Sequence, residues 1–135
     1  MTAPVTIIVP IYAGLEYTER CLESVARHAA SGSVAFELLL VDDASPDAPV
    51  RELVDQFASA AHPFPVTALH NPENLGFVGT VNRGLRAAAG DVVILNSDTA
   101  VTDGWLDRLA AAAALPDVAT VTPLSSHGSI CTRFG

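Results

Sequence analysis

The sequence predicts an α/β domain in which helices pack on a mostly parallel sheet. Three observations carry that expectation. Short runs rich in Val, Ile and Leu alternate with amphipathic stretches of helical period along the chain, the order expected of strand-helix-strand units. The strand runs show little alternation of polar and apolar residues, so both faces of the sheet should be covered. With 135 residues the chain is long enough for one continuous core and shorter than the length at which cores split, so residues 1–135 read as a single domain.

The first strand is read at Val5 to Val9. The helix after it places Cys21, Leu22, Val25, Ala26 and Ala29 on one stripe, with Glu16/Arg20 and Glu23/Arg27 paired four residues apart on the solvent side. The second strand, Phe36 to Val41, leads to a helix expected to open with Ser45 as N-cap and Pro46 in its first turn, burying Val50, Leu53, Val54 and Phe57. After a third strand at Val66 to Leu69, the pattern predicts a helix from about Phe77 to Ala89 that turns Phe77, Val81, Leu85 and Ala88 inward and stops at Gly90. Gly79 and Gly84 are costly inside a helix, which implies close approach of its backbone to the sheet or to a ligand. A fourth strand is expected at Asp91 to Leu95. A fourth helix should begin at Thr102 and carry Leu106, Leu109, Ala110 and Ala113, and a fifth strand is read at Val118 to Thr122.

Composition narrows the function. Half the residues are apolar and 16% are charged, the balance of a globular chain rather than a disordered one. A net charge of -8 has the wrong sign for binding nucleic-acid phosphates or anionic lipid. All seven basic residues are arginine, which removes chemistry that needs a lysine, including the phosphate-binding-loop lysine and Schiff bases. No apolar run approaches the roughly 18 residues that span a bilayer, and the start of the chain lacks the basic flank of a secretory signal. A soluble, cytoplasmic protein is expected, with Cys21 in the core and Cys131 a second thiol of a reducing compartment.

In open α/β sheets a ligand lies beyond the carboxyl ends of the strands. The residues found there are Pro10-Ile11-Tyr12 after the first strand, Asp42-Asp43 after the second and Asn96-Ser97-Asp98 after the fourth. Each has a bland alternative. The aspartates could cap the turn into the next helix, Asn96 and Asp98 could be turn formers, and Tyr12 could be packing. Convergence of all three on one rim favours a ligand. Carboxylates gathered there would repel a phosphate unless a hard divalent cation sat between them, which points to a metal-bridged phosphate compound. His28, His62, His70 and His127 lack metal-ligand spacing and receive no role. No G-x-G-x-x-G follows the first strand, and neither a phosphate-binding loop nor a two-component receiver domain fits a chain without lysine.

Taken together, VTIIVPIYAG, FELLLVDDASPD, NPENLGFVGTVNRGLRAAAGDVVILNSDT and GWLDRL resemble the successive motifs of family 2 glycosyltransferases of the GT-A fold. V-P-x-Y, V-D-D-x-S, N-x-G-F-x-G-x-x-N-x-G and L-N-S-D-T occur in that family's order over nearly the whole chain. The resemblance implies a Rossmann-like GT-A sandwich, here incomplete at its C-terminal end. It implies that Pro10, Tyr12 and Asp43, with Asp42 beside them, hold the base and ribose of a nucleotide, the carboxylate accepting the imide N–H of uracil or thymine. Asn82 becomes a polar contact near the diphosphate. The family's D-x-D motif becomes Asn96-Ser97-Asp98, with Asp98 on Mn²⁺ or Mg²⁺ and Asn96 and Ser97 toward the ribose and diphosphate. The N-S-D form is similar to a subset that includes rhamnosyltransferases. Val81 stands where many members have arginine.

The implied activity is inverting transfer from a UDP- or dTDP-sugar, in the making of bacterial surface polysaccharides or glycoconjugates, to an acceptor glycan or lipid-linked sugar. The reaction would take place in the cytoplasm, at the inner face of the membrane through regions outside this chain. The carboxylate base of the family lies in a later half, and no residue between Thr99 and Gly135 is assigned to it. The alternative is a module that binds nucleotide-sugar without turnover. Self-association through apolar surface that the later half would cover is also expected.

Overall fold

The computed structural model describes residues 3–123. Among them β1 (Val5–Ile11), β2 (Phe36–Asp42), β3 (Val66–His70) and β4 (Val92–Ile94) form one sheet in the order β3-β2-β1-β4, and every pairing is parallel. Helices α1 (Leu15–His28), α2 (Ala48–Ser59), α3 (Gly76–Ala87) and α4 (Trp105–Ala113) alternate with the strands, and a short 3-10 turn, Ala29–Ser31, extends α1. The expected α/β class is therefore what the chain forms. After β3 the chain returns across the sheet to lay β4 on the other side of β1. The reversal of direction opens a crevice at the carboxyl ends of β1 and β4.

Residues of β1 alternate between two apolar layers, as a strand of period two must. Ile7, Val9 and Ile11 join Leu38 and Leu40 of β2 against Cys21, Leu22 and Val25 of α1 and Val50 and Val54 of α2. Ile8 meets Leu39 and Val41 on the other face, where α3 crosses β1 and β2. Continuous apolarity thus does mark strands covered on both sides at the centre of the sheet. At the edge it does not, for Ile94 of β4 is 47% exposed.

The inward face of α3 matches the expectation at Val81 and differs from it elsewhere. Thr80, Val81 and Gly84 are buried, whereas Phe77 and Leu85 are exposed and Val78 is 70% exposed. The reason is how low the helix sits. A Cβ on Gly84 would lie 2.7 Å from Ile8 Cγ2, so the inner face has room only for small side chains, and the large apolar ones turn outward. Gly84 is the close approach that its presence in a helix implied. The helix also ends at Ala87, before Gly90.

Two helix starts are corrected as well. Asp47 is the N-cap residue of α2 and Pro49 lies in its first turn, so Ser45 and Pro46 precede the helix; the Ser45 hydroxyl is instead committed to the Ala13 N–H at 3.1 Å. Helix α4 begins at Trp105 after Gly104, which is left-handed at φ 64°, and Thr102 offers its carbonyl to the Trp105 N–H at 3.2 Å. Leu106 is buried as expected. The Asp107 carboxylate accepts the Ser33 and Val34 N–H groups at 2.9–3.1 Å. These bonds hold its carboxyl below the usual range, the Ser33 N–H contributing most.

Residues 118–122 form no strand. Asp117 is left-handed at φ 64°, Val118 closes a turn onto the Leu115 carbonyl, and the run is mostly exposed. A β-branched run becomes a strand only when it finds a ladder partner, and β4 pairs with β1 alone among the described residues. Cys131 and His127 lie outside the described residues.

Candidate functional site

The loops after β1 and β2 are stitched together before any ligand is considered. The Asp43 N–H donates to the Ile11 carbonyl at 2.8 Å, the Ala13 N–H to Ser45 Oγ at 3.1 Å and the Ser45 N–H to Asp42 Oδ1 at 3.1 Å. The Arg51 guanidinium closes on the Ser45 carbonyl. Ala13 and Ala44 are left-handed at φ 56° and 54°, a conformation costly for a residue with a Cβ. Both flank the carboxyl ends of the two central strands.

The loop after β4 is held from below by α1. Cys21 Sγ donates to the Asn96 carbonyl at 3.7 Å, and Ser24 Oγ accepts the Val101 N–H at 3.0 Å. Between these anchors the Thr99 N–H returns to the Asn96 carbonyl at 3.0 Å, so residues 96–99 form a turn with Asp98 exposed at its crest. Burial, followed by the charge of Asp98, pushes the Cys21 thiol up to about 11.

These loops and the start of α3 enclose a cleft of about 610 Å³. Pro10, Tyr12, Asp43, Asn96, Ser97 and Asp98, all singled out by the sequence, line it. Ala13, Gly14 and Tyr17 at the start of α1, and Asn74, Gly76, Phe77 and Thr80 around the start of α3, complete the wall. Two helix N-termini therefore abut the cleft, and their positive ends favour an anionic ligand. Tyr12 is 54% exposed and Phe77 58%, flat apolar surfaces open to a ring-shaped guest.

Asp42 and Asn82 are not on this wall. Asp42 is fully buried and turned toward the far side of β2, where His70 Nδ1 meets Oδ2 at 3.0 Å. His70 Nε2 meets Asp55 Oδ1 at 2.8 Å. A protonated imidazole can donate through both ring nitrogens, one to each carboxylate. The Asp42 bond, opposed by partial burial and aided by Asp55, accordingly raises the His70 pKa. Asn82 is exposed on α3, because the neighbouring positions Thr80, Val81 and Gly84 take the face toward the sheet.

Asp43 is the most elaborately held group of the site. Its Oδ1 accepts the Leu75 N–H at 2.7 Å and Asn71 Nδ2 at 2.9 Å. Burial alone would push its carboxyl up, but the donors Leu75 and Asn71, then Thr80 and Gly76, outweigh burial and hold it below the usual range. It is a carboxylate at neutral pH. Asn71 and Thr80 were missed by sequence reasoning, although the rule applied after the other strands reaches Asn71 directly, since it follows β3.

Among the described residues no three His, Cys, Asp or Glu side chains gather as a metal-binding group. Around the turn at 96–99, Asp98 brings one carboxylate, and Asn96 and Ser97, which also carry side-chain oxygens, line the same cleft. These are hard oxygen donors, suited to Mg²⁺ or Mn²⁺ but too few to complete a coordination shell. They fit a cation that a ligand's own oxygens help to hold. No helix among the described residues is long and apolar enough to cross a membrane.

A family model described as Glycosyl transferase family 2 matches residues 6–133. Glycosyltransferase AglE of Haloferax volcanii is 29% identical over 105 residues, a match that covers 77% of this chain and 33% of AglE. The mannosyltransferase PcManGT from Pyrobaculum calidifontis, solved in complex with GDP-Man and Mn²⁺, superposes with a TM-score of 0.71 at 25% identity over 85% of this chain and 35% of its own. S. aureus TarS 1–349 gives a TM-score of 0.66 at 25% identity over 82% of this chain and 32% of TarS. The chain spans about a third of the length of the curated relatives it matches.

Proposed function

The chain belongs to glycosyl transferase family 2, and from that premise we propose that it forms the donor-binding part of a glycosyltransferase whose cleft takes a UDP- or dTDP-sugar. The observation that carries the reading is the convergence of Pro10, Tyr12, Asp43, Asn96, Ser97 and Asp98 on one cleft at the point where the sheet reverses direction. Tyr12 offers a face to the base and Asp43 accepts its imide N–H. Asn96 and Ser97 take the ribose and the diphosphate. Asp42 supports the loop from behind, through Ser45, and Asn82 stands at the outer edge of α3. Asp98 would hold Mn²⁺ or Mg²⁺ with the help of the ligand's own diphosphate oxygens, and a cation bound there would supply charge neutralisation to the leaving diphosphate. PcManGT, with its GDP-Man and Mn²⁺, supports a divalent cation in this kind of cleft.

In the proposed reaction an acceptor hydroxyl attacks the anomeric carbon from the side opposite the diphosphate. The new C–O bond forms as the old one breaks, the diphosphate leaves with the electron pair, and the hydroxyl proton passes to a base. Configuration inverts. The base remains unassigned, since the two carboxylates on the described cleft wall, Asp43 and Asp98, are given to the nucleotide and the metal. The acceptor is a glycan or lipid-linked sugar of bacterial surface polysaccharide or glycoconjugate synthesis. The reading sets the reaction in the cytoplasm at the inner face of a membrane, with a donor of the rhamnosyl type suggested by the N-S-D form.

The reading is tested by thermal melting with UDP, dTDP and GDP, each with Mn²⁺. A rise with UDP or dTDP that Asp43→Ala abolishes supports it; equal stabilisation of wild type and Asp43→Ala removes Asp43 from the site, and preference for GDP replaces the pyrimidine donor. Those same two engaged carboxylates favour a second reading, in which the chain binds nucleotide-sugar without turnover. Transfer to an added sugar acceptor, above the rate of donor hydrolysis, decides between them.

A further inference from the structure

A carboxylate can accept a base N–H only if it is held ionised and correctly aimed, and the groups behind Asp43 form a directed chain. Arg83, on α3, donates through Nη1 to the His70 carbonyl at 2.6 Å and to Asn71 Oδ1 at 2.5 Å. Asn71 in turn donates through Nδ2 to Asp43 Oδ1 at 2.9 Å and to Thr80 Oγ1 at 3.0 Å. Arginine has donors only. The amide oxygen of Asn71 must therefore face Arg83, and the NH₂ group must face Asp43. With the guanidinium gone, the amide oxygen would lose its donor, and the orientation of Asn71 would rest on the Asp43 carboxylate alone.

Asn71 is buried, so an incorrectly turned amide has no water to compensate it. Oδ1 of Asp43 is already occupied by Asn71 and Leu75. Thr80 and Gly76 are further donors near the carboxylate, but the bonds at 2.9 Å or less end on Oδ1, which leaves acceptor capacity on the other oxygen of a residue that lines the cleft. We propose that Arg83 and Asn71 are positioning residues that lock the inner oxygen of Asp43 and thereby aim the outer one at the imide N–H of a pyrimidine base. The proposal rests on the donor-binding reading above. It also gives Arg83 a role distinct from direct contact, because it works from behind the β3–α3 junction rather than from the cleft wall.

The test compares the binding of UDP and of its N3-methyl analogue, which lacks the imide proton, by calorimetry with Mn²⁺. Wild type prefers UDP. Arg83→Met, which keeps the aliphatic stem, and Asn71→Leu should each weaken UDP about fivefold, the scale of one lost hydrogen bond. Both should leave the methyl analogue unchanged, so that the preference shrinks by the same factor. Arg83→Lys should recover part of it, since an ammonium can still donate to Asn71 Oδ1. Circular dichroism melts confirm that each variant is folded, and if Arg83→Met is not, Arg83→Lys and Asn71→Leu carry the comparison. Equal weakening of both nucleotides, or a full preference for UDP in the folded variants, overturns the proposal. A wild type without preference, or Asp43→Ala that binds UDP like wild type, overturns the donor-binding reading instead.

Discussion

Replacing Gly84 by alanine sets two known effects against each other at one atom. Alanine is favoured over glycine inside a helix by about 1 kcal/mol. Against that gain, the new Cβ would stand 2.7 Å from Ile8 Cγ2, 3.0 Å from Cδ1 and 3.2 Å from Cγ1. Ile8 has no exposed surface, and its strand is paired on both sides, with Leu39 and Ile94, so it cannot step aside. Overpacking of this kind costs about 1–3 kcal/mol. An approach as short as 2.7 Å puts the cost in the upper half of that range, so the clash should win by about 1–2 kcal/mol, which for a chain of this size lowers Tm by about 3–10 °C.

Urea denaturation followed by circular dichroism reads the change as a shift in midpoint at constant slope. A double-mutant cycle with Ile8→Ala isolates its cause. Ile8→Ala alone should cost about 2–5 kcal/mol through the cavity it leaves. In the double variant the methyl group added by Gly84→Ala enters that space, so the combined loss should fall short of the sum by about 1 kcal/mol or more. Gly84→Ala at or above wild-type stability, or strictly additive losses, would refute the claim that α3 is seated by contact of its backbone with β1.

Asp98→Asn should abolish the positive linkage between Mn²⁺ and UDP in calorimetry while leaving the melt without ligand unchanged; tight Mn²⁺ binding by wild type without nucleotide would contradict the shared site. The bonds that depress Asp43 add stability that is present above the unfolded carboxyl value of about 3.9 and lost as pH falls through the lower folded value, so Asp43→Asn should flatten the acid limb of a stability profile. His70 behaves in the opposite sense. Its raised pKa adds stability below about 6.5 that is lost as pH rises through the folded value, and His70→Gln should remove that alkaline decline. In a Cys131→Ser background, Cys21 should resist a thiol reagent at neutral pH until urea unfolds the chain, because burial keeps it a thiol.

What could be read from the sequence depends on how local the cause is. Strands β1, β2 and β3 begin where their apolar runs begin, at Val5, Phe36 and Val66, since a buried parallel strand needs little beyond continuous apolarity. The face of α3 could not be read this way. Periodicity assigns the largest apolar residues to the interior, and here the depth of Gly84 against Ile8 excluded them. The cleft followed the same division. Residues after β1, β2 and β4 were found by the strand-end rule, but Asp43 is bonded to Asn71, and Asn71 to Arg83, across a junction formed by β3 and α3. Asp42 and Asp43 are neighbours in sequence with opposite destinations, because alternation along the strand end sends one toward His70 and the other into the cleft.

The sheet order also sets a timetable. Val5 pairs with Phe36, whereas Thr6 must wait for Val92, a far larger loop to close before any contact rewards it. On a chain emerging N-terminus first, the β1-β2-β3 unit with α3 can assemble Asp43 and its supporting bonds before Asn96 and Asp98 have emerged. The half of the cleft that would read the base thus matures ahead of the half that would hold the cation. On the proposed reading, an early occupant would meet the residues given to the nucleoside before those given to its diphosphate.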